Sequence, residues 1–191
     1  MRGGTAGEPA DPVVELCAFR VGEDEYALDL RRIREVLTPV PVRPVPRAPE
    51  VLEGVVDVRG EVIPVVNARR RFGLPAATGG PRSRMLLVKL GDRVLALLVD
   101  AVLEVMRVPR SAIRAAPPPA AGSPRLFVGA CGGEACHPAP GRSPRGPAPR
   151  LRLLLDVRAL LEPIGPAELA AARARAAGES PPEAGPGREV G

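Results

Sequence analysis

The chain has no tryptophan, a single lysine (Lys89), a single histidine (His137) and four aromatic residues in all, Phe19, Tyr26, Phe72 and Phe127. Four rings are too few to interleave stacking platforms with basic clusters, so the net charge of +5 does not by itself indicate a nucleic-acid binder. Three cysteines, Cys17, Cys131 and Cys136, are an odd set that fits a reducing compartment better than a disulfide framework. No apolar run approaches the roughly 20 residues that span a bilayer, so no direct membrane insertion is expected. Met1 to Pro12 lacks the apolar stretch of a signal peptide, and a cytoplasmic location is expected. Neither a GxxxxGK[ST] nor a GxGxxG loop opens a helix, and His137 has no nucleophile-elbow serine or cysteine near it. The expectation is a protein without enzyme activity, with no catalytic residues and no cofactor. Cys131, Cys136 and His137 form C-x4-C-H, a set of soft metal ligands whose spacing matches neither zinc knuckles nor a haem attachment run. They stay as candidates only, and the preferred reading is an insertion with incidental thiols.

What is abundant is proline, glycine and arginine. The 25 prolines and 21 glycines concentrate in Met1–Pro12, Pro117–Pro124, Gly129–Pro149 and Gly178–Gly191, which leaves the remainder as the folded part. With 191 residues and 45% apolar content, that remainder is long enough to bury a core. Arg31, Arg32 and Arg34, and again Arg69, Arg70 and Arg71, read as solvated helix faces. Asp29, Asp57, Asp100 and Asp156 stand beside strands without grouping into an acid/base pair, and read as turn and cap residues.

The folded part reads as short strands. Leu16–Val21 and Tyr26–Leu30 flank Gly22 and an acidic turn, a hairpin signal. In Arg31–Leu37 the spacing of Ile33, Val36 and Leu37 predicts one helical turn, ended by Pro39 and Pro41. Val55–Val58 and Val62–Val66 flank Arg59-Gly60, where Gly60 supplies the positive φ of a tight connection. Pro64 cannot donate a ladder bond, which predicts an edge strand or a bulge. Asn67 is placed to cap a short helix, Ala68–Phe72, closed by Gly73. Val94–Val99 and Leu151–Leu155 carry apolar residues at consecutive positions, as though both faces were covered, and a small barrel has one interior. Some of that surface is therefore expected to dock a partner.

The second half repeats the first. Phe19, Val21, Gly22, Ala27, Leu28, Leu30, Ile33, Glu35, Val36 and Leu37 recur 69 positions later as Val88, Leu90, Gly91, Ala96, Leu97, Val99, Val102, Glu104, Val105 and Met106. Val65, Val66, Asn67, Arg69 and Phe72 recur 89 positions later as Leu154, Leu155, Asp156, Arg158 and Leu161, which places an insertion between the two blocks. Two copies of such a unit imply two small all-β barrels, each too small to bury a sufficient core without the other.

The stretches GEDEYALDLRRIREV (Gly22–Val36), GVVDVRGEVIPVVNARRRFG (Gly54–Gly73), LALLVDAVLEV (Leu95–Val105) and LRLLLDVRALL (Leu151–Leu161) resemble the CheW-like chemotaxis coupling family in order and spacing, from about Glu15 to about Glu162. The resemblance implies a mainly β fold of two SH3-like five-stranded barrel subdomains with short helices and disordered termini. The division it implies is an N-terminal arm over 1–13, a CheW-like domain over 14–164 with a Gly/Pro-rich insertion near 130–150, and a helical, then disordered, tail over 165–191. It implies a non-enzymatic adaptor with two partners, the regulatory domain of a CheA-type histidine kinase and the cytoplasmic tip of methyl-accepting chemoreceptors. The protein would be cytoplasmic and recruited to membrane-anchored receptor arrays. The partner-binding residues so implied are Ile33, Glu35, Gly54, Arg59, Gly60, Val99 and Asp100, with Arg59 paired to Glu35 at the docking surface. Asp57 stands where the family commonly has Asn, and is a competitor for Arg59. The alternatives are a CheW-like scaffold in a non-chemotaxis two-component pathway and a basic nucleic-acid-binding β-barrel.

Overall fold

The structure, a computed structural model, describes residues 11–46, 48–75, 79–116, 118, 125–132, 137–138 (backbone only) and 151–160. Most of the N-terminal arm, most of the insertion and the tail lie outside the described residues. Among the described residues eleven strands follow one another: β1 Val13–Val21, β2 Asp24–Asp29, β3 Ile33–Leu37, β4 Leu52–Val58, β5 Glu61–Asn67, β6 Arg84–Leu90, β7 Arg93–Val99, β8 Ala101–Pro109, β9 Phe127–Cys131, β10 His137–Pro138 and β11 Arg152–Leu155. Two one-turn helices, α1 Ala68–Arg71 and α2 Val157–Leu160, follow β5 and β11. The fold is mainly β, and each of its two sheets contains five strands of the repeat. One sheet runs β3-β6-β7-β5-β4, and the other β8-β1-β2-β11-β9 with β10 added outside β8.

The ladders obey the internal repeat residue by residue. Phe19 faces Tyr26 as Val88 faces Leu95. Ile33 faces Val88 as Val102 faces Phe19, and Ala96 faces Val65 as Ala27 faces Leu154. Each sheet takes its hairpin from one repeat and its other three strands from the other. β1 and β2 thus complete the sheet of the second repeat, and β6 and β7 complete that of the first. The exchange explains why β7 is apolar at consecutive positions. Leu95, Leu97 and Val99 face a core between the two sheets, and Ala96 faces a second core with Val56, Ile63, Val65, Met85 and Leu87. The Ala96 face of β7 is thus closed over by its own sheet and the Leu95 face by the partner sheet, which corrects the expectation of a docking surface on this strand. All four aromatics meet at this seam, with Tyr26 4.7 Å from Phe72, 5.8 Å from Phe127 and 5.9 Å from Phe19 between ring centroids.

Three local expectations change. Ile33–Leu37 is a strand, preceded by a single 3-10 turn, Leu30–Arg32, and its residues alternate in exposure with period two. The sequence IREVL satisfies both periods, and pairing with β6 decides between them. β5 is an interior strand despite Pro64. Val55 exchanges both backbone bonds with Arg43, at 2.8 and 2.9 Å, so its pairing with Pro64 across the ladder needs no N–H from the proline. On the other side of β5 the pairing with β7 begins only at Val65. The arginine clusters are also engaged rather than merely solvated. Arg69 pairs with Asp100, Arg70 with Glu53 and Arg34 with Glu61, and Arg71 donates to the carbonyls of Ala159 and Leu160.

Asn67 caps α1 by accepting from the amides of Arg69 and Arg70, and Asp156 repeats this role towards Arg158. Asp29, Asp57 and Asp100 likewise accept from the amides of Arg31, Gly60 and Gly22, as turn residues should. Beyond the repeat, Arg152 is buried in β11 at the position that Ile63 holds in β5. It reaches Glu25 and Glu104 at 2.8 Å each and lies against the Met106 sulfur. Desolvation disfavours the Arg152 charge most, but the hydrogen bonds and charges of the two glutamates outweigh it and keep the guanidinium protonated.

Candidate docking surface

The β4–β5 connection is a two-residue turn, because Val58 faces Glu61 directly. Arg59 has φ 55° and Gly60 φ 84°, the doubly positive geometry that the right-handed twist of a hairpin favours. Gly60 tolerates this freely, whereas for Arg59 the left-handed region costs about 1 kcal/mol or more. The Gly60 amide donates to Asp57 at 2.7 Å, so Asp57 closes the turn and does not compete for the arginine.

Held this way, the Arg59 guanidinium grips Glu35 with two bonds, Nη1 to Oε2 at 3.2 Å and Nη2 to Oε1 at 2.8 Å. Glu35 follows a bulge in β3 at Arg34, and Arg34 reaches back to Glu61 on the far side of the turn at 2.7 Å. Two ion pairs thus tie one outer strand of the sheet to the hairpin at the other end of the strand order. Arg59 remains 74% exposed, and Val36 on the same strand is exposed as well. Exposed pairs of this kind contribute about 0.2–1 kcal/mol, no more than the backbone strain costs. The arrangement presents a fixed guanidinium to a partner without adding net stability.

Ile33 is half-buried against the inter-sheet core. Gly54 is buried in β4 with φ 151°, and a Cβ there would overlap the Arg43 carbonyl oxygen and Val42. Gly129 makes the same approach to Ile113 and Arg114 in the second half. Val99 is buried at the end of β7. Asp100 bonds to Arg69 Nε at 2.9 Å and to the Gly22 amide at 2.7 Å, not to the Glu35–Arg59 pair. Desolvation pushes its carboxyl up most strongly of any single effect, but the Arg69 and Gly22 hydrogen bonds with the charges of Arg69 and Arg20 outweigh it and hold it below the ordinary carboxylate range. The structure therefore joins Glu35, Arg59 and Gly60, sets Gly54 in the strand leading to their turn, and engages Asp100 with other partners. Sequence reading missed the Arg34–Glu61 pair, whose only signal was opposite charge beside each member of the first pair.

Among the described residues no three His, Cys, Asp or Glu side chains cluster to hold a metal ion. Cys131 is buried in β9, while Cys136 and the His137 side chain lie outside the described residues. Cys17 is also buried, and burial pushes its thiol up to about 11, which keeps it unreactive. No helix among the described residues is long and apolar enough to cross a membrane.

Two interlocked β-sheets carrying a rigid, charged hairpin define an interaction domain. The chain belongs to the CheW-like domain family, whose model matches residues 15–163. It is 36% identical over 114 residues to the chemotaxis protein CheW of Rhizobium meliloti, covering 60% of this chain and 74% of the relative. It is 35% identical over 113 residues to the protein FrzA of Myxococcus xanthus, covering 59% and 69%. The crystal structure of the scaffolding protein TtCheW from Thermoanaerobacter tengcongensis superposes with a TM-score of 0.66 at 25% identity, over 78% of this chain and 92% of that one.

Proposed function

We propose that this protein is a non-enzymatic adaptor of chemotaxis-type signalling, joining chemoreceptor tips to the regulatory domain of a CheA-type histidine kinase. It would act in the cytoplasm, recruited to membrane-anchored receptor arrays. The observation that carries the reading is Arg59. A non-glycine residue in left-handed backbone at a hairpin tip, with its guanidinium fixed on Glu35 yet exposed, is strain held for presentation. Ile33, Glu35, Gly54, Arg59 and Gly60 form the receptor-facing part of this surface. Val99 and Asp100, the remaining partner-binding candidates, lie apart from it at the end of β7, Val99 buried and Asp100 engaged by Arg69 and Gly22. The relatives' role in chemotaxis supports the assignment of partners.

The test is a binding assay of the purified chain with a cognate kinase regulatory domain and a cognate receptor tip, with kinase autophosphorylation as the readout. The adaptor should bind both partners together in moderate salt, raise receptor control of the kinase, and acquire no phosphoryl group itself. Failure to bind either partner, with DNA binding that falls steeply as salt rises, would replace this reading with the basic-barrel one.

A further inference from the structure

In the first half of the fold a polar network fills the space between β4 and α1. Glu53, the bulge residue of β4, accepts from Asn67 Nδ2 at 3.1 Å and forms an ion pair with Arg70, Nε to Oε2 at 3.3 Å, and Arg69 is occupied by Asp100. The second half repeats the backbone but not the network. Val128 is the bulge residue of β9 in place of Glu53, Ala159 stands for Arg70, and Arg158 for Arg69.

What remains there is a cleft of about 200 Å³, with Leu154, Leu155 and Val157 among its lining and Val128 beside them, 51% exposed. Arg32 and Arg158 stand at its rim, and neither guanidinium forms a hydrogen bond or ion pair with a described residue. Two aspartates also line the cleft. Asp29 is satisfied by Arg31 at 2.7 Å, and Asp156 accepts from the Arg158 amide at 2.9 Å. With Arg31 included, three guanidiniums meet two carboxylates, so the rim keeps an excess of one positive charge over an apolar floor. The volume is below the roughly 300 Å³ at which small-molecule sites begin, and suits one or two side chains of a polypeptide.

We propose that this cleft docks an acidic protein segment, seating an aliphatic side chain against Val128 and Leu154 with flanking carboxylates on Arg32 and Arg158. It is separate from the Glu35–Arg59 pair and stands or falls independently of the receptor assignment. The probe is a fluorescent peptide of alternating leucine and glutamate, titrated by anisotropy into the full chain, with a leucine and lysine peptide as its counterpart. Arg32→Glu/Arg158→Glu should weaken binding of the acidic peptide at least about tenfold, which is 1.4 kcal/mol. Lys89→Glu/Arg93→Glu, the same charge change at exposed positions outside the cleft, should leave it within about twofold, which is the limit set by general attraction to a basic protein. Val128→Asp should also weaken binding while leaving the melting temperature unchanged. Equal losses in the two double variants would reveal diffuse attraction and overturn the site. No binding of the acidic peptide, or equal binding of the basic one, would overturn it too.

Discussion

Replacing Arg59 by glycine separates presentation from stability. The substitution relieves left-handed strain of about 1–2 kcal/mol. It removes an exposed ion pair of about 0.2–1 kcal/mol and adds about 0.5–1 kcal/mol of unfolded-chain entropy. The Gly60–Asp57 bond and the facing of Val58 and Glu61 are untouched. These contributions nearly cancel, so the net change should lie within about 1 kcal/mol, or about 4 °C in melting temperature for a chain of this length. Affinity for the cognate receptor tip should nevertheless fall by about tenfold or more. Calorimetry and a binding titration on the same preparation give both numbers. A melting temperature lowered by more than about 8 °C would show that the arginine holds the fold. An unchanged affinity would remove it from the docking surface. The charge-reversed partner experiment is a second control: Arg59→Glu should weaken docking, Glu35→Arg should restore part of it, and strict additivity in that cycle would refute the pair.

Gly54→Ala should destabilise severely, because its Cβ would overlap the backbone of Arg43, whereas Gly60→Ala meets open space and should cost only about 1 kcal/mol of backbone strain; thermal melts compare them directly. Arg152→Ala should cost about 3–5 kcal/mol by leaving Glu25 and Glu104 without their shared cation, and adding Glu25→Val and Glu104→Leu should recover much of it in denaturant titrations. Asp100 has its folded pKa depressed below its ordinary value of 3.8, so its contribution is present above that pH and lost as pH falls through the lower folded value. Asp100→Asn should flatten that acid limb of the stability curve, and an unaltered limb would assign the acid loss to other carboxylates.

The repeat was legible because both copies carry the same alternation of core residues, and its two offsets reappear in the ladders from Phe19 to Leu154. The exchange of hairpins was not, since the side-chain pattern of β1 and β2 is the same whichever sheet receives them. β3 was hidden by its length, five residues being too few to separate a period of 3.6 from one of 2. Arg152 did leave a trace, a charge inside the run LRLLL at the place of Ile63, with Glu25 and Glu104 available as partners. The Glu35–Arg59 pair came from family resemblance alone, because nothing in a separation of 24 residues announces a contact between a strand and a turn.

The hairpin exchange also sets an order of assembly on the ribosome. The sheet built from β3 to β7 has all its strands once Val99 has been made, whereas β1 and β2, though synthesised first, must wait for β8 and then for β11 at residues 152–155. Until then the β1–β2 hairpin exposes an unpaired edge and the apolar face of Leu16, Ala18 and Ala27, across a loop of more than a hundred residues whose closure is slow. A nascent chain released early would therefore carry one finished sheet and one sticky hairpin, and that hairpin is the segment a chaperone, or a second nascent chain, would meet first.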